Sequence, residues 1–240
     1  MAIAFDKIDS GSHSATDGVL SWTHTPVGTP ACVIVYVAIE DGTERNPTAT
    51  YGGEAMAELN GGVGNLVDGG VYAFFIGDVG DTVPTGAQTV SITTDSHTSD
   101  KGGFSLSCTA ADTCSVLDED GTINSVATAG SGSLTSTLSL TSVDAFCSLG
   151  FYNGYGANSN NSGLTNWSDD TATQEIDFGT NTAGAYYYTI IAGTDVTFGV
   201  AQGAVDESIA VIGVAVRENT AGGGGSNIPV IKHHLDQMAA

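Results

Sequence analysis

The sequence predicts an all-β fold, a sandwich or a barrel. About a dozen short runs are apolar or alternate apolar with polar residues, at near-regular spacing, with no amphipathic helix between them. The composition agrees: there are 33 Gly, many Ser and Thr, and few of the residues that fill helix surfaces. Apolar residues make up 41% of the chain and charged residues only 13%, so disorder is disfavoured. A chain of 240 residues buries roughly 70% of its open surface, enough for one sizeable core without staples.

The runs follow in order. Residues 19–24 (VLSWTH) form a short strand after a Gly/Ser/Asp loop. Residues 32–39 (CVIVYVAI) are apolar on both faces, as in a central strand covered on two sides. Residues 48–51 end at Gly52-Gly53, and residues 55–59 follow. Residues 71–76 (VYAFFI) are a second core strand. Residues 89–93 point Val90 and Ile92 inward, Phe104, Leu106 and Cys108 alternate with serines, and Leu134, Leu138 and Leu140 recur among Ser and Thr. Residues 145–152, 185–192, 196–200 and 208–217 complete the set. Glu40-Asp41-Gly42 and Asp118-Glu119-Asp120-Gly121 are read as turns, and 154–170 as an exposed loop. The expected core includes Val33, Val35, Val37, Phe74, Ile76, Leu138, Phe146, Ile190, Ile212 and Val214.

No composition break precedes residue 218, so 1–218 is expected to be one domain. Residues 219–226 (NTAGGGGS) are a flexible linker with an r.m.s. reach of roughly 15 Å. In 227–240, Asn227 suits an N-cap and Pro229 the first helical turn, and Ile228, Ile231, Leu235 and Met238 then share one stripe. So short a helix is marginal alone in water, and its stripe needs a partner surface. Ile228, Val230, Ile231, Lys232, His233, His234, Leu235 and Met238 are therefore the expected docking residues, with Lys232, His233 and His234 suited to an acidic receptor.

Ala4-Phe5-Asp6, then Leu20-Ser21-Trp22-Thr23-His24-Thr25, then 33–39 and Thr50-Tyr51-Gly52-Gly53-Glu54-Ala55-Met56 make a pattern of strand edges. Residues 86–92, Val205-Asp206-Glu207-Ser208 and 209–217 extend it. Over about residues 1–218 this resembles a jelly-roll-like β-sandwich domain of phage virion proteins and bacterial surface proteins. The resemblance implies an antiparallel two-sheet sandwich and a decoration, fibre or adhesion role, with no catalytic residues to carry over. The Gly-linked C-terminal peptide departs from it, since a free-standing sugar-binding module has no need of such an arm.

Five Lys+Arg against 27 Asp+Glu leave a net charge of −22. That field repels phosphate backbones and anionic lipid, so neither nucleic acid nor membrane is an expected partner. The start, Met1-Ala2-Ile3-Ala4-Phe5-Asp6, has no basic residue and no long apolar run, so synthesis in a host cytoplasm without a signal peptide is expected. In that setting Cys32, Cys108, Cys114 and Cys147 default to buried free thiols, while the symmetry of Cys108 and Cys114 about Ala111 leaves a hairpin disulfide as the alternative.

Catalytic and metal signals are weak. His13, His24 and His97 stand singly and read as surface or rim residues, and His233-His234 lack the spacing of a chelating pair. Asp118-Glu119-Asp120-Gly121-Thr122 starts like a calcium loop, but Ala129 stands where the bidentate Glu belongs. The stretch 61–67 resembles one calcium-binding nonapeptide repeat but occurs once, with Leu66 at the Asp position. Asp169-Asp170 lacks an identifiable facing acid. Tyr155, Trp167 and Tyr186-Tyr187-Tyr188 offer a sugar-stacking face, against core or rim roles. The sequons at Asn160 and Asn166 have meaning only with secretion.

The function expected from these readings is non-enzymatic and without cofactor: a capsid decoration or cement protein of a tailed phage, on the capsid exterior. Its expected partners are a major capsid or other shell protein and itself. A homotrimer is expected because strands such as 32–39 and 208–217 carry more apolar surface than one sandwich core obviously uses. The alternatives are a carbohydrate-binding or adhesive module, or a subunit of an extracellular filament or surface layer.

Overall fold

The computed structural model describes residues 3–13, 18–40, 46–63, 69–95, 100–124, 133–140, 145–153, 174–178, 181–190, 196–201 and 209–219. These residues are all-β, with no helix among them. The first eight strands are β1 (Ala4–His13), β2 (Val19–His24), β3 (Cys32–Ile39), β4 (Thr48–Tyr51), β5 (Glu54–Ala55), β6 (Ala57–Val63), β7 (Gly70–Ile76) and β8 (Gln88–Thr93). Then come β9 (Lys101–Thr109), β10 (Cys114–Asn124), β11 (Ser133–Leu138), β12 (Ala145–Asn153), β13 (Gln174–Phe178), β14 (Asn181–Ile190), β15 (Val196–Ala201) and β16 (Ile209–Glu218).

They form antiparallel sheets. A central sheet has the order β1-β9-β3-β7-β6, a second five-stranded sheet β10-β16-β12-β14-β13, a smaller sheet β2-β8-β4-β5, and a ribbon pairs β11 with β15. The expected antiparallel sandwich is present, and the central sheet takes part in two such packings.

Strand β3 shows why. Its side chains alternate between faces, yet all eight residues are buried. Cys32, Ile34, Tyr36 and Ala38 join Phe146, Tyr152, Ile212 and Val214 of the second sheet in one apolar cluster. Val33, Val35, Val37 and Ile39 join Leu20, Trp22, Tyr51, Val90 and Ile92 of the smaller sheet in another. Burial of Val33, Val35 and Val37 contributes about 1.5–3 kcal/mol each before the entropy cost. The second face of β3, one basis for expecting subunit association, is therefore covered within the chain. β16 behaves alike: Ile212, Val214 and Val216 face the central sheet, and a Cβ at Gly213, on the opposite face, would meet Ser136 of β11.

Of the ten expected core residues, nine are buried. The tenth, Ile190, has its backbone on β14, and its side chain is outside the described residues. The stacked rings of Phe5 and Phe146, 6.3 Å apart, carry the packing to the β1 edge of the central sheet.

Glycines set two local features. Gly52 and Gly53 both have positive φ, 59° and 90°, and close the two-residue turn between β4 and β5. A turn of that hand matches the strand twist and suits Gly at both positions. Gly11 and Gly103 are register partners on β1 and β9, and a Cβ on either would collide with the Trp22 side chain. The bare backbone there forms a floor on which the indole lies, with Nε1 donating to Ser105 Oγ at 2.9 Å.

Candidate functional site

The expected docking residues, Ile228, Val230, Ile231, Lys232, His233, His234, Leu235 and Met238, lie outside the described residues. The structure does describe the point from which they depart. β16 runs antiparallel to β10, with Glu218 opposite Cys114. Asn219 then makes three contacts: its N–H donates to Thr113 O at 2.7 Å, its side-chain amide to Thr113 Oγ1 at 3.1 Å, and its Oδ1 accepts from Ser115 Oγ at 2.9 Å. The Glu218 carboxylate accepts the Ala111 N–H at 2.8 Å.

Register places this root among the connections at one end of the stack. Cys32 is opposite Cys108 and Val33 opposite Ile76, so residues 25–31, 77–87 and 110–113 emerge beside one another. Val27 and Val79 are 83% and 73% exposed there. Carboxylates order the loops. Asp6 accepts the N–H groups of Val27 and Gly28 and the Ser107 hydroxyl, and Asp81 accepts those of Gly77 and Asp78. The strong acidity of the chain is thus partly used to hold backbone at this end.

His24 is a correction to the sequence reading. It is fully buried between the central and smaller sheets rather than on a rim, because the last residue of β2 turns inward in the strand alternation. Its Nδ1 lies 2.9 Å from Ser105 Oγ and 3.2 Å from the Asp9 carboxylate, and its ring meets Tyr51 edge-on at 5.9 Å. A Ser, a His and an Asp so close together have the composition of a nucleophilic triad. Here, however, Ser105 and Asp9 share one ring nitrogen, whereas a triad sets nucleophile and orienting acid on opposite nitrogens. Ser105 is also fully buried. The cluster is a structural clamp: Asp9 also accepts the Thr25 N–H at 2.9 Å and pairs with Lys7 at 3.4 Å. Burial lowers the His24 pKa more than the Asp9 and Asp6 charges raise it, and Lys7 lowers it further.

The expected turn at Asp118-Glu119-Asp120-Gly121 is instead the middle of β10, paired with Ala215, Val214, Gly213 and Ile212 of β16. A register shift between Val116 and Asp118 re-aims the strand there. The Asp118 carboxylate accepts the Ser139 N–H and the Asp120 carboxylate the Thr137 N–H, both at 2.6 Å. Among the described residues, no group of three His, Cys, Asp or Glu is placed to hold a metal ion.

The other candidates are placed only in part. His13 and Tyr186-Tyr187-Tyr188 have described backbone on β1 and β14, without described side chains. His97, Tyr155, Asn160, Asn166, Trp167 and Asp169-Asp170 lie outside the described residues. The four cysteines are buried and free of disulfides. No helix among the described residues is long and apolar enough to cross a membrane. No family model matches the chain, and no curated protein matches it.

Proposed function

We propose that the protein is a non-enzymatic structural component of a virion, a capsid decoration or cement protein of a tailed phage that docks through residues 227–240. The observation that carries this reading is the arm's root. Asn219 is tied by three hydrogen bonds to Thr113 and Ser115, so a Gly-rich tether leaves a layered β body from a fixed point. A stiff body with a clamped root and an apolar peptide on a short leash suits a protein whose work is attachment. Several such arms on one particle gain from effective concentration, so each need bind only weakly. The resemblance of residues 1–218 to a β-sandwich domain of phage virion and bacterial surface proteins is compatible with this reading.

In this reading the body sits on the capsid exterior, its acidity keeping neighbouring particles apart, and the arm's Lys232, His233 and His234 meet an acidic groove of the shell protein. Self-association, as a trimer, belongs to the same proposal. It draws on contacts other than strands β3 and β16, whose faces are already covered within the chain.

The test uses particles purified by density gradient from the producing host. The protein should be present at a fixed ratio to the major shell protein. Recombinant full-length chain should rebind stripped particles, and chain lacking residues 222–240 should not. Absence from the particles, or equal rebinding by the truncated chain, overturns the docking role.

A further inference from the structure

Three of the four cysteines meet where the central and second sheets join. Cys32 and Cys108 stand directly opposite each other on the antiparallel pair β3–β9. Opposed Cα atoms on such a pair lie about 4.5 or 5.5 Å apart, with side chains on one face. Both spacings fall within the roughly 4.4–6.8 Å that a disulfide spans. Cys114 opens β10 at the crossover from the central to the second sheet, and its N–H donates to Gly77 O at 2.8 Å. Gly77 lies against Cys32, so closely that a Cβ there would collide with the Cys32 Cβ. The thiols of Cys108 and Cys114 both lie close enough to that of Cys32 to perturb its ionisation. All three are fully buried in one apolar cluster, while Cys147 is on β12 and outside that cluster.

We propose that Cys32, Cys108 and Cys114 form a redox modification site in which Cys32 is the common member of two alternative disulfides. The oxidant is a low-molecular-weight disulfide, RSSR. One cysteine gives up its proton, and the thiolate attacks one sulfur of RSSR. A mixed disulfide forms, and RS⁻ leaves and is protonated to RSH. The second cysteine, deprotonated in turn, attacks the protein sulfur of that mixed disulfide and releases a second RSH. Two protein thiols are oxidised to one disulfide, RSSR is reduced to two RSH, and the third cysteine stays a thiol. That thiol can then attack Cys32, moving the bond between Cys108 and Cys114.

The two products differ mechanically. Cys32–Cys108 crosslinks neighbouring strands of the central sheet. Cys32–Cys114 ties that sheet to the second one across residues 110–113. The Cys108 thiol and burial raise the pKa of Cys32, against an opposing effect of Cys114, and the Cys32 thiol and burial raise that of Cys114, so the thiols stay protonated and slow to react while the seam is closed. The site therefore hardens the protein gradually after it passes from reducing to oxidising surroundings.

The experiment has two arms. Full-length protein is refolded from denaturant in a glutathione redox buffer, and folded protein is incubated with excess oxidised glutathione at mildly alkaline pH. Free thiols are blocked, the protein is digested without reduction, and linked peptides are identified by mass spectrometry. The expected product has lost two hydrogen atoms and links Cys32 to Cys108 or Cys114. Its thermal midpoint rises by about 10 °C and falls back on reduction. Cys108→Ser should channel the link to Cys32–Cys114, and Cys147→Ser should change nothing. Four free thiols after both arms, glutathione adducts without an internal link, or a Cys108–Cys114 link persisting at full yield in Cys32→Ser would each overturn the proposal.

Discussion

The hydroxyls of Tyr36 and Ser148 share a 2.7 Å hydrogen bond across the seam between the central and second sheets. Both side chains are buried, and a Cβ at Gly150, two residues beyond Ser148, would strike the Tyr36 ring. The phenol thus lies across bare backbone, with its hydroxyl bonded to that of Ser148. Burial pushes its pKa well above the ordinary tyrosine value, so it remains a neutral partner. Tyr36→Phe should cost about 1–2 kcal/mol in urea denaturation, because Ser148 is left buried without that bond. Pairing Tyr36→Phe with Ser148→Ala should cost less than the sum of the two, and strict additivity would show that the bond carries no coupling.

Gly103→Ala should destabilise by about 1–3 kcal/mol, since the added methyl must displace the Trp22 indole. The displacement should also stretch the Trp22–Ser105 hydrogen bond and shift the tryptophan emission. An unchanged denaturation midpoint would mean that the indole floor is softer than its geometry implies.

His24 makes stability depend on pH with a defined sign. Its folded pKa is lowered from 6.5 by burial, against the Asp9 and Asp6 carboxylates that face it and in concert with Lys7. The unfolded chain therefore takes up a proton at higher pH than the folded one does. The contribution is fully present above pH 6.5 and is lost as pH falls from 6.5 through the lower folded value. His24→Gln should flatten the stability curve over that window, as read by urea midpoints across a pH series. A variant curve parallel to the parent's would show that His24 does not titrate differently on folding.

Deleting residues 222–240 should leave the thermal midpoint unchanged, because Asn219 and β16 are retained. Deleting 209–240 should abolish cooperative unfolding, because β16 pairs with both β10 and β12. Calorimetry of the two truncations separates the arm from the body.

Much of the sheet content is legible from hydrophobic pattern alone. Residues 19–24, 32–39 and 48–51 coincide with β2, β3 and β4, because uninterrupted or alternating apolar runs report burial directly. β1 (AFDKIDSGSH) shows only at its first residues, since its polar side chains serve loop backbone through Asp6 and Asp9. β10 has the local composition of a turn at 118–121 because Asp118 and Asp120 bind N–H groups of Ser139 and Thr137, a long-range reason that local propensity cannot express. Two-faced strands are recognisable, but whether another sheet or another subunit covers the second face is a matter of tertiary layering. His24 reads as a rim residue because a lone histidine carries no mark of burial, and the meeting of Cys32 with Cys114 depends on a register set far along the chain.

The position of β16 between β10 and β12 governs how the chain is made. Those two neighbours leave the ribosome first and must wait for residues 209–218 before their facing edges can pair. At ordinary translation rates the stretch from β12 to the end of β16 takes on the order of 3–13 seconds to synthesise. Throughout that interval the nascent chain exposes open strand edges rich in apolar side chains. A chain halted before residue 209 therefore keeps those edges open to pairing with other chains.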